Sequence, residues 1–327
     1  MQVFFQFCEA VIRLFIMKAE ENARPLPPSV RTKDSSLDKT LPPVAELVGK
    51  YTILRYVDLD GVRQELDYRH LVDLDAMPVP MPVDREGYCS VEHSSRYWAT
   101  GYSDWLNVRE AVKRYMSPEA SQSKMRMMDF GCASGRFLRH VWTFGKDNID
   151  SWGCDFAPAN VEWVKRYLPS EIKILLNTNV PHLPFPDGHF DIVTAFSVFT
   201  HIDYLEDAWL LELRRITSPN GLLYITVHND ATWSQLSKSP TRAEDVLRSN
   251  SIPGNKILDE SLFDQPLPED RFVLRTSMED IYNCNIWMSN DYIRKSWSRY
   301  FEIMHIASNA HTEFQSVVIM KPLVHPF

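Results

Sequence analysis

The stretch MMDFGCASGR, residues 127–136, is the most informative part of the chain. It reads as a short apolar strand, an aspartate, a turn of small residues and an amphipathic segment that runs to Trp142. A strand that leads into a glycine-rich turn and a helix lets the backbone approach a ligand closely. We therefore expect a cofactor-binding loop at this point of the chain.

The spacing of the small residues separates two kinds of cofactor loop. A dinucleotide loop, G-x-G-x-x-G, would use Gly131, Ala133 and Arg136, and an arginine fits the third position poorly because that position packs helix against strand. The pattern D-x-G-x-G-x-G fits Asp129, Gly131 and Gly135, with Ala133 as one departure. The methyl group of Ala133 costs little if its φ is negative, but strain is expected if its φ is positive.

Acidic and polar residues follow the next two predicted strands. Asp155 closes the run 149–154, about 20 residues past the loop, where a carboxylate can accept from both ribose hydroxyls. The alternative for Asp155 is a loop or cap acid. The strand 172–176 ends at Asn177, Thr178 and Asn179.

Two further predicted strands end in residues capable of chemistry. The continuous apolar run from Phe190 indicates a buried strand, and the residues from Ser197 to His201 lie where open α/β sheets bind ligands. A fifth strand, 222–227, ends at His228. Asp203 is expected to cap the helix between these two strands.

Taken in order, these motifs resemble a class I S-adenosylmethionine (SAM)-dependent methyltransferase over residues 126–230. The segments LPFPDGHFD, SVFTHI and ELRRITSPNGLLYITVH, and the tail YIRKSWSRYFEI at 292–303, are similar to a bacterial subgroup often found alongside glycan or natural-product biosynthesis. The resemblance implies an α/β, Rossmann-like doubly wound sheet of seven strands, mostly parallel with one antiparallel strand. It also implies SAM as cofactor and S-adenosylhomocysteine as product. No acid cluster of the sequence indicates a magnesium site, so no metal is expected.

The resemblance assigns the candidate cofactor-binding residues, with the loop after the third strand facing the adenine. They are Asp129, Gly131, Ala133, Gly135, Asp155, Phe156, Asn177, Thr178, Asn179, Ser197 and Phe199. For the residues at 177–179, the alternative is that they are ordinary turn residues.

Methyl transfer to oxygen needs a base that removes the acceptor's proton. His201 and His228 are the candidate catalytic residues, because both follow strand ends that face the cofactor. His201 is expected at a helix start, whose dipole would keep its imidazole neutral. For each histidine, the alternative is a structural hydrogen bond, while Asp203 and Asp230 read better as helix caps.

The pattern divides the chain into three parts. Residues 1–48 form an N-terminal segment and flexible linker, 49–118 a hairpin and helical cap, and 119–327 the methyltransferase domain with a lid-like insertion at 231–290. Residues 1–17 are too short and too charged to span a bilayer, and Met17 is an alternative start. Aromatic residues of the insertion either line a substrate pocket or form a local core: Trp233, Phe263, Phe272, Tyr282 and Trp287.

Composition bounds the partners and the compartment. The chain of 327 residues has 35 Lys and Arg against 43 Asp and Glu, a net charge of −8, which argues against a nucleic-acid partner. Its 5 cysteines show no C-x-x-C pairing, so a zinc site or disulfide framework is not expected and a cytoplasmic location fits. A transmembrane segment is not expected either.

The predicted function is methylation of a small molecule or glycan. Three alternatives remain open: a non-catalytic SAM-binding or scaffold protein, a protein or tRNA methyltransferase, and a nucleotide-dependent oxidoreductase. Binding of NADH but not of SAM would favour the last of these.

Overall fold

The computed structural model describes residues 53–86, 94–117, 124–240, 260–275 and 284–323, with the single positions 41, 44, 88 and 243. Most of the predicted N-terminal segment and linker, residues 1–48, lies outside these residues, as do Cys8, Cys89 and Tyr282. Contacts group Pro42–Phe327 into one compact unit.

The segment before the large sheet contains a hairpin and a long helix. Strands β1 (Ile53–Val57) and β2 (Arg63–Asp67) pair antiparallel, as the alternating pattern predicts. A short helix, α1 (Arg69–Val72), follows, and α2 (Ser94–Tyr115) buries an aromatic face that includes Trp98 and Trp105.

The central sheet is built by strands that alternate with helices. In chain order these elements are β3 (Met125–Phe130), α3 (Leu138–Gly145), β4 (Ile149–Asp155), α4 (Pro158–Tyr167), β5 (Lys173–Leu176), β6 (Phe190–Ala195), α5 (Glu206–Ile216) and β7 (Thr217–Val227). Pro158 begins α4, where the missing N–H of proline costs nothing.

The remaining elements complete the sheet and form the insertion. They are α6 (Asp230–Leu236), β8 (Arg271–Arg275), β9 (Cys284–Met288), α7 (Asn290–Ser296), β10 (Phe301–His311) and β11 (Gln315–Pro322). Strands β8 and β9 pair with each other as a separate antiparallel ribbon between β7 and β10.

Among the described residues, the large sheet has 7 strands in the order β10-β11-β7-β6-β3-β4-β5. Strands β3 to β7 run parallel, and β11 runs antiparallel to both of its neighbours, β7 and β10. The predicted Rossmann-like sheet with one antiparallel strand is confirmed. Because β11 is reversed, its first residue, Gln315, lies at the same edge as the carboxyl ends of the other strands.

Apolar side chains alternate between the two faces of the sheet, as the two-residue period of a strand requires. Met127 and Ile192 pack in the core that includes α2 and α3, whereas Met128 and Val193 pack in the core that includes α5. Both faces are therefore covered, which explains why the strands read as continuous apolar runs.

Two predicted helix caps are wrong. Asp203 does not cap α5; its carboxylate instead pairs with Arg271 and Arg275 of β8, which ties the insertion to the body of the domain. Asp230 lies in the first turn of α6, whose cap is Asn229, and it accepts from the backbone N–H of Asn290.

Candidate cofactor and acceptor site

The loop after β3 makes a cradle of three left-handed residues. Gly131, Ala133 and Gly135 have φ values of 74°, 47° and 80°. A Cβ atom on Gly131 would stand 2.5 Å from Cγ2 of Val198, and one on Gly135 would stand 2.5 Å from Cδ1 of Leu168. Both positions therefore require glycine, while Ala133 carries the strain expected at positive φ, about 1–2 kcal/mol.

Asp155 at the end of β4 holds the cradle from the next strand. Its Oδ2 accepts from the N–H of Ala133 at 2.8 Å, and its Oδ1 accepts from the N–H of Ala157 at 2.9 Å and from the Asn160 amide at 3.1 Å. Burial raises the pKa of this carboxyl, and the three donors oppose that shift. A carboxylate has about four acceptor positions, so Asp155 retains capacity for a hydroxyl donor.

Of the two acids beside the cradle, Asp129 has the more strongly raised pKa. It is buried at the end of β3, and the hydroxyl of Thr194 donates to its Oδ1 at 2.8 Å. Burial raises the pKa of Asp129 to about 7, against the opposing effects of Thr194 and the nearby Arg136. The site thus holds a carboxyl that a nearby cationic group would favour in its charged form.

The loop after β5 contributes a buried polar atom. Asn177 Oδ1 is buried and makes no hydrogen bond with the described residues, although the Asn177 side chain lines the cavity. Buried polar atoms normally have partners, so this oxygen fits the exocyclic amine of an adenine. Thr178 and Asn179 are exposed on the cavity rim, and Thr178 Oγ1 accepts from the N–H of Val180 as in an ordinary turn.

The residues after β6 divide between the cavity and the core. Ser197 has a φ of 59° and lines the cavity, with its N–H bonded to Oγ1 of Thr226 at 2.7 Å. Phe199 is fully buried and packs against Trp297, with ring centroids 5.6 Å apart. The prediction that Phe199 contacts the cofactor is therefore corrected: its side chain turns into the core beneath α5.

His201 lines the cavity, but not at the start of a helix. Helix α5 begins five residues later, at Glu206, so the predicted dipole effect is absent. Instead, burial lowers the pKa of His201, and its Nδ1 lies 2.7 Å from the carbonyl of Cys284 in β9. The prediction of a neutral imidazole holds for a different physical reason.

His228 lies deeper in the wall. Its ring stacks on Trp287 with centroids 5.2 Å apart, and its Nε2 is 3.3 Å from Nε2 of Gln315. Burial lowers the pKa of His228 to about 3. An imidazole with so low a pKa is a weak proton acceptor near neutral pH.

One cavity of about 740 Å³ joins these residues. Its wall includes Gly131 and Ala133 of the cradle, Asp129, Asp155, Phe156 and the loop at 177–179, together with both histidines proposed from the sequence. Arg136, Asn285, His311 and Gln315 also line it, and sequence reasoning missed them as site residues. Only Arg136 gave a signal, as the residue that did not fit a dinucleotide loop.

The aromatic residues of the insertion form a local core. Trp233, Phe263 and Trp287 are buried together, Phe272 packs against them, and none of the four lines the cavity. Of the two alternatives for these side chains, the local core is the one that the structure shows. The insertion reaches the cavity through Asn285 of β9 instead.

The described part of the chain lacks two features, a membrane-spanning helix and a cluster of metal ligands. No helix there is long and apolar enough to cross a membrane. No group of three or more His, Cys, Asp and Glu side chains there could hold a metal ion.

Comparison with known proteins places this site in a family. A family model described as "Methyltransferase domain" matches residues 128–225. An uncharacterised protein of Methanocaldococcus jannaschii is 33% identical over 120 residues, which cover 37% of this chain and 48% of that protein. A malonyl-(acyl-carrier protein) O-methyltransferase of Pectobacterium atrosepticum is 26% identical over 157 residues, covering 46% and 57%.

The similarity is partial in length. The chain spans about half the length of these curated relatives, 48% and 57%. A crystal structure of a protein from Pyrococcus horikoshii overlaps 74% of this chain and 96% of its own, at 18% identity and a TM-score of 0.47. Residues 128–225, which carry the cradle and the central strands, therefore match a methyltransferase domain.

Proposed function

We propose that the chain transfers a methyl group from SAM to an oxygen of a small-molecule or glycan acceptor. The observation that carries this proposal is that a single cavity contains both the cofactor cradle and imidazole side chains. Cofactor and acceptor can therefore meet within one cavity, as an in-line displacement requires.

We assign the cofactor to the part of the cavity formed by the loops after β3, β4 and β5. Asp155 is positioned to accept from ribose hydroxyls, and Asn177 Oδ1 from the adenine amine. Asp129, Gly131, Ala133, Phe156, Thr178, Asn179 and Ser197 line the same cavity, and Gly135, which packs against Leu168 and Val164, completes the proposed set. Bound SAM supplies a methyl group already activated by its sulfonium, so the protein's task is alignment and removal of a proton.

The acceptor is assigned to the part formed by residues after β6 and β7 and by β9 to β11. Its volume suits a small molecule or a short glycan segment. The net charge of −8 gives no support for a nucleic-acid acceptor, and the unpaired Cys132, Cys154 and Cys284 fit the cytoplasmic location that we propose. We also propose that the chain is organised in three parts, residues 1–48, 49–118 and 119–327.

Calorimetry with S-adenosylhomocysteine, with NADH titrated in parallel, tests the cofactor assignment. Binding of the first alone, at micromolar affinity, is the expected result. Asp155→Ala should weaken that affinity about 10- to 100-fold, because a buried acceptor for the ribose is removed. Asp150→Ala is the matched control, since Asp150 lies on the same strand but pairs with Lys173 outside the cavity.

Binding of NADH in place of S-adenosylhomocysteine would contradict the proposal and favour an oxidoreductase. Binding of S-adenosylhomocysteine with no methyl transfer to any acceptor would favour a non-catalytic SAM-binding protein. Transfer to protein or tRNA, but to no small molecule, would retain the chemistry and overturn the acceptor class.

A further inference from the structure

Three histidines line the cavity, and they differ in what holds them. His201 bonds to a backbone carbonyl, and His228 bonds to the amide of Gln315. His311, at the end of β10, is the exception, because its Nδ1 lies 2.8 Å from Oδ1 of Asp104 on α2. Asp104 is completely buried and His311 almost completely.

The charge state of Asp104 follows from its second partner. Arg136 of the cofactor cradle places Nη1 2.6 Å from the other carboxylate oxygen, Oδ2. Burial opposes the charged form of Asp104, but His311 and Arg136 hold the pKa of this carboxyl below its usual value. An ionised carboxylate only accepts hydrogen bonds, so the nearby Nδ1 of His311 carries the proton.

This tautomer leaves the lone pair of His311 on Nε2. Within the described residues no hydrogen bond to that atom is found, and the ring lines the cavity. The ring also packs against Phe196, with centroids 5.4 Å apart. Phe196 follows β6, the strand next to β3, so His311 of the edge strand β10 packs beside the strand that adjoins the cradle.

The lone pair of His228 is already occupied. Gln315 Oε1 accepts from the hydroxyls of Ser197 at 3.1 Å and Thr226 at 2.7 Å. These two donors fix the orientation of the amide, so that its Nε2–H points at Nε2 of His228. Nε2 of His228 therefore accepts a hydrogen bond from Gln315, and its lone pair is not available to a proton of the methyl acceptor.

His201 differs from His311 in the group that its bonded nitrogen faces. Its Nδ1 faces the carbonyl of Cys284, which fixes the ring, and burial disfavours its charged form. An imidazole that takes up a proton becomes a cation, and an adjacent carboxylate stabilises that cation far better than a carbonyl does. The described contacts give this arrangement to His311, whose bonded nitrogen faces the carboxylate of Asp104.

We propose that His311, oriented by Asp104, is the proton acceptor of the transfer reaction, an inference that rests on the proposed function. The acceptor oxygen forms its bond to the methyl carbon as the carbon–sulfur bond breaks and its electron pair stays on sulfur. The acceptor proton moves to Nε2 of His311. Asp104 balances the imidazolium, so the pair needs no metal ion.

The surroundings of the pair contain other charged and titratable groups. Arg136 faces Asp104 from the cradle, while Tyr224 and His228 interact with the pair from β7 and the residue that follows it. Arg136 lowers the proton affinity of the pair, because it neutralises part of the charge on Asp104. The pH profile of the reaction therefore belongs to the group as a whole.

Carbethoxylation by diethyl pyrocarbonate tests the availability of the lone pair without any acceptor. The reagent attacks an unprotonated, accessible imidazole nitrogen, and peptide mapping locates the product. With S-adenosylhomocysteine bound, we expect modification of His311 in the wild-type protein near pH 7. His140 is the internal control, since its side chain is completely buried and does not line the cavity. An unmodified His311 in this complex would overturn the proposal.

A kinetic measurement tests the role itself. Label from methyl-tritiated SAM is followed into a panel of small phenols, alcohols, sugars and amines. We expect His311→Gln and Asp104→Asn to lower kcat about 100-fold or more, with S-adenosylhomocysteine affinity retained and His305→Gln unaffected. Added imidazole should partly restore His311→Ala, which a structural role would not show.

The outcomes separate the two proposals. Full activity of His311→Gln, with loss of activity in His201→Gln, would overturn the role of His311 and leave the proposed function intact. Lack of any transfer by the wild-type protein would contradict the proposed acceptor class, while carbethoxylation still decides whether His311 offers its lone pair.

Discussion

The two parts of the cavity are built in different ways. The cofactor part is made by loops that follow three successive strands, within residues 129–179, and much of it is backbone held by glycine and by Asp155. The acceptor part is made by side chains from α2, β9, β10 and β11 as well as from the ends of β6 and β7. The first part is local in sequence and set by backbone geometry, whereas the second depends on contacts between distant elements. Substitutions should therefore be able to impair cofactor binding without impairing methyl-acceptor function, and the reverse.

The largest effect on the acceptor part alone is expected from a substitution of Trp287. Its ring is fully buried between His228 and Trp233, so Trp287→Ala should lower the free energy of unfolding by about 3–5 kcal/mol. Because no described cofactor-side residue touches this ring, the folded variant should retain affinity for S-adenosylhomocysteine and lose methyl transfer. Denaturant unfolding and calorimetry measure the two effects. Trp142→Ala, at a half-buried helix position, is the control, and loss of cofactor affinity in folded Trp287→Ala would break the comparison.

The largest effect on the cofactor part alone is expected from a substitution of Gly131. Gly131→Ala combines a φ of 74° with a Cβ atom 2.5 Å from Val198, and we expect a loss of about 3 kcal/mol in S-adenosylhomocysteine binding. Gly61→Ala is the matched control, because Gly61 has a φ of 78° but open space around its Cβ position. It should cost about 1 kcal/mol of stability and leave binding unchanged. Equal binding by both variants would show that the cradle tolerates a shift.

Asp129 should make the stability of the cofactor part depend on pH. Burial raises its pKa to about 7 from 3.8, so between these values the unfolded chain releases a proton that the folded chain retains. Stability contributed by the protonated form is thus lost as pH rises from about 4 to about 7. Asp129→Asn should be more stable than wild type by roughly 2–4 kcal/mol at pH 8, with a smaller difference at pH 5.

Urea unfolding at the two pH values measures this difference. Asp147→Asn, at an exposed position, is the control and should give the same small effect at both. A constant difference for Asp129→Asn would mean that Asp129 is already charged in the folded protein.

The smallest effect is expected at Ala133. Ala133→Gly removes the strain of a φ of 47° and should raise the stability by about 1 kcal/mol or less, since glycine also loses more entropy on folding. A thermal melt should show a rise of a few degrees at most. Ala157→Gly, whose φ is −84°, should have the opposite sign, and a fall in both variants would contradict the strain at Ala133.

The same contrast explains what the sequence could predict. The cradle, its acid at the next strand end and the order of strands follow from spacing and apolar periodicity, because each depends on neighbours in the chain. Phe199 was misplaced because the strand period does not continue into the turn after β6. The sequence predicts that Asp203 caps a helix, but Arg271 and Arg275 of the insertion form ion pairs with its carboxylate. The Asp104–His311 pair has no local signature, since a single acid in a helix gives no sign of its distant partner.

The pairing of Asp104 with His311 also has a consequence for synthesis. The two residues are 207 positions apart, and β10 enters the sheet only through β11, which is made last. Residues 129–179 of the proposed cofactor part are therefore synthesised before either of these strands. The proposed proton-accepting pair can form only after β10 has joined the sheet through β11.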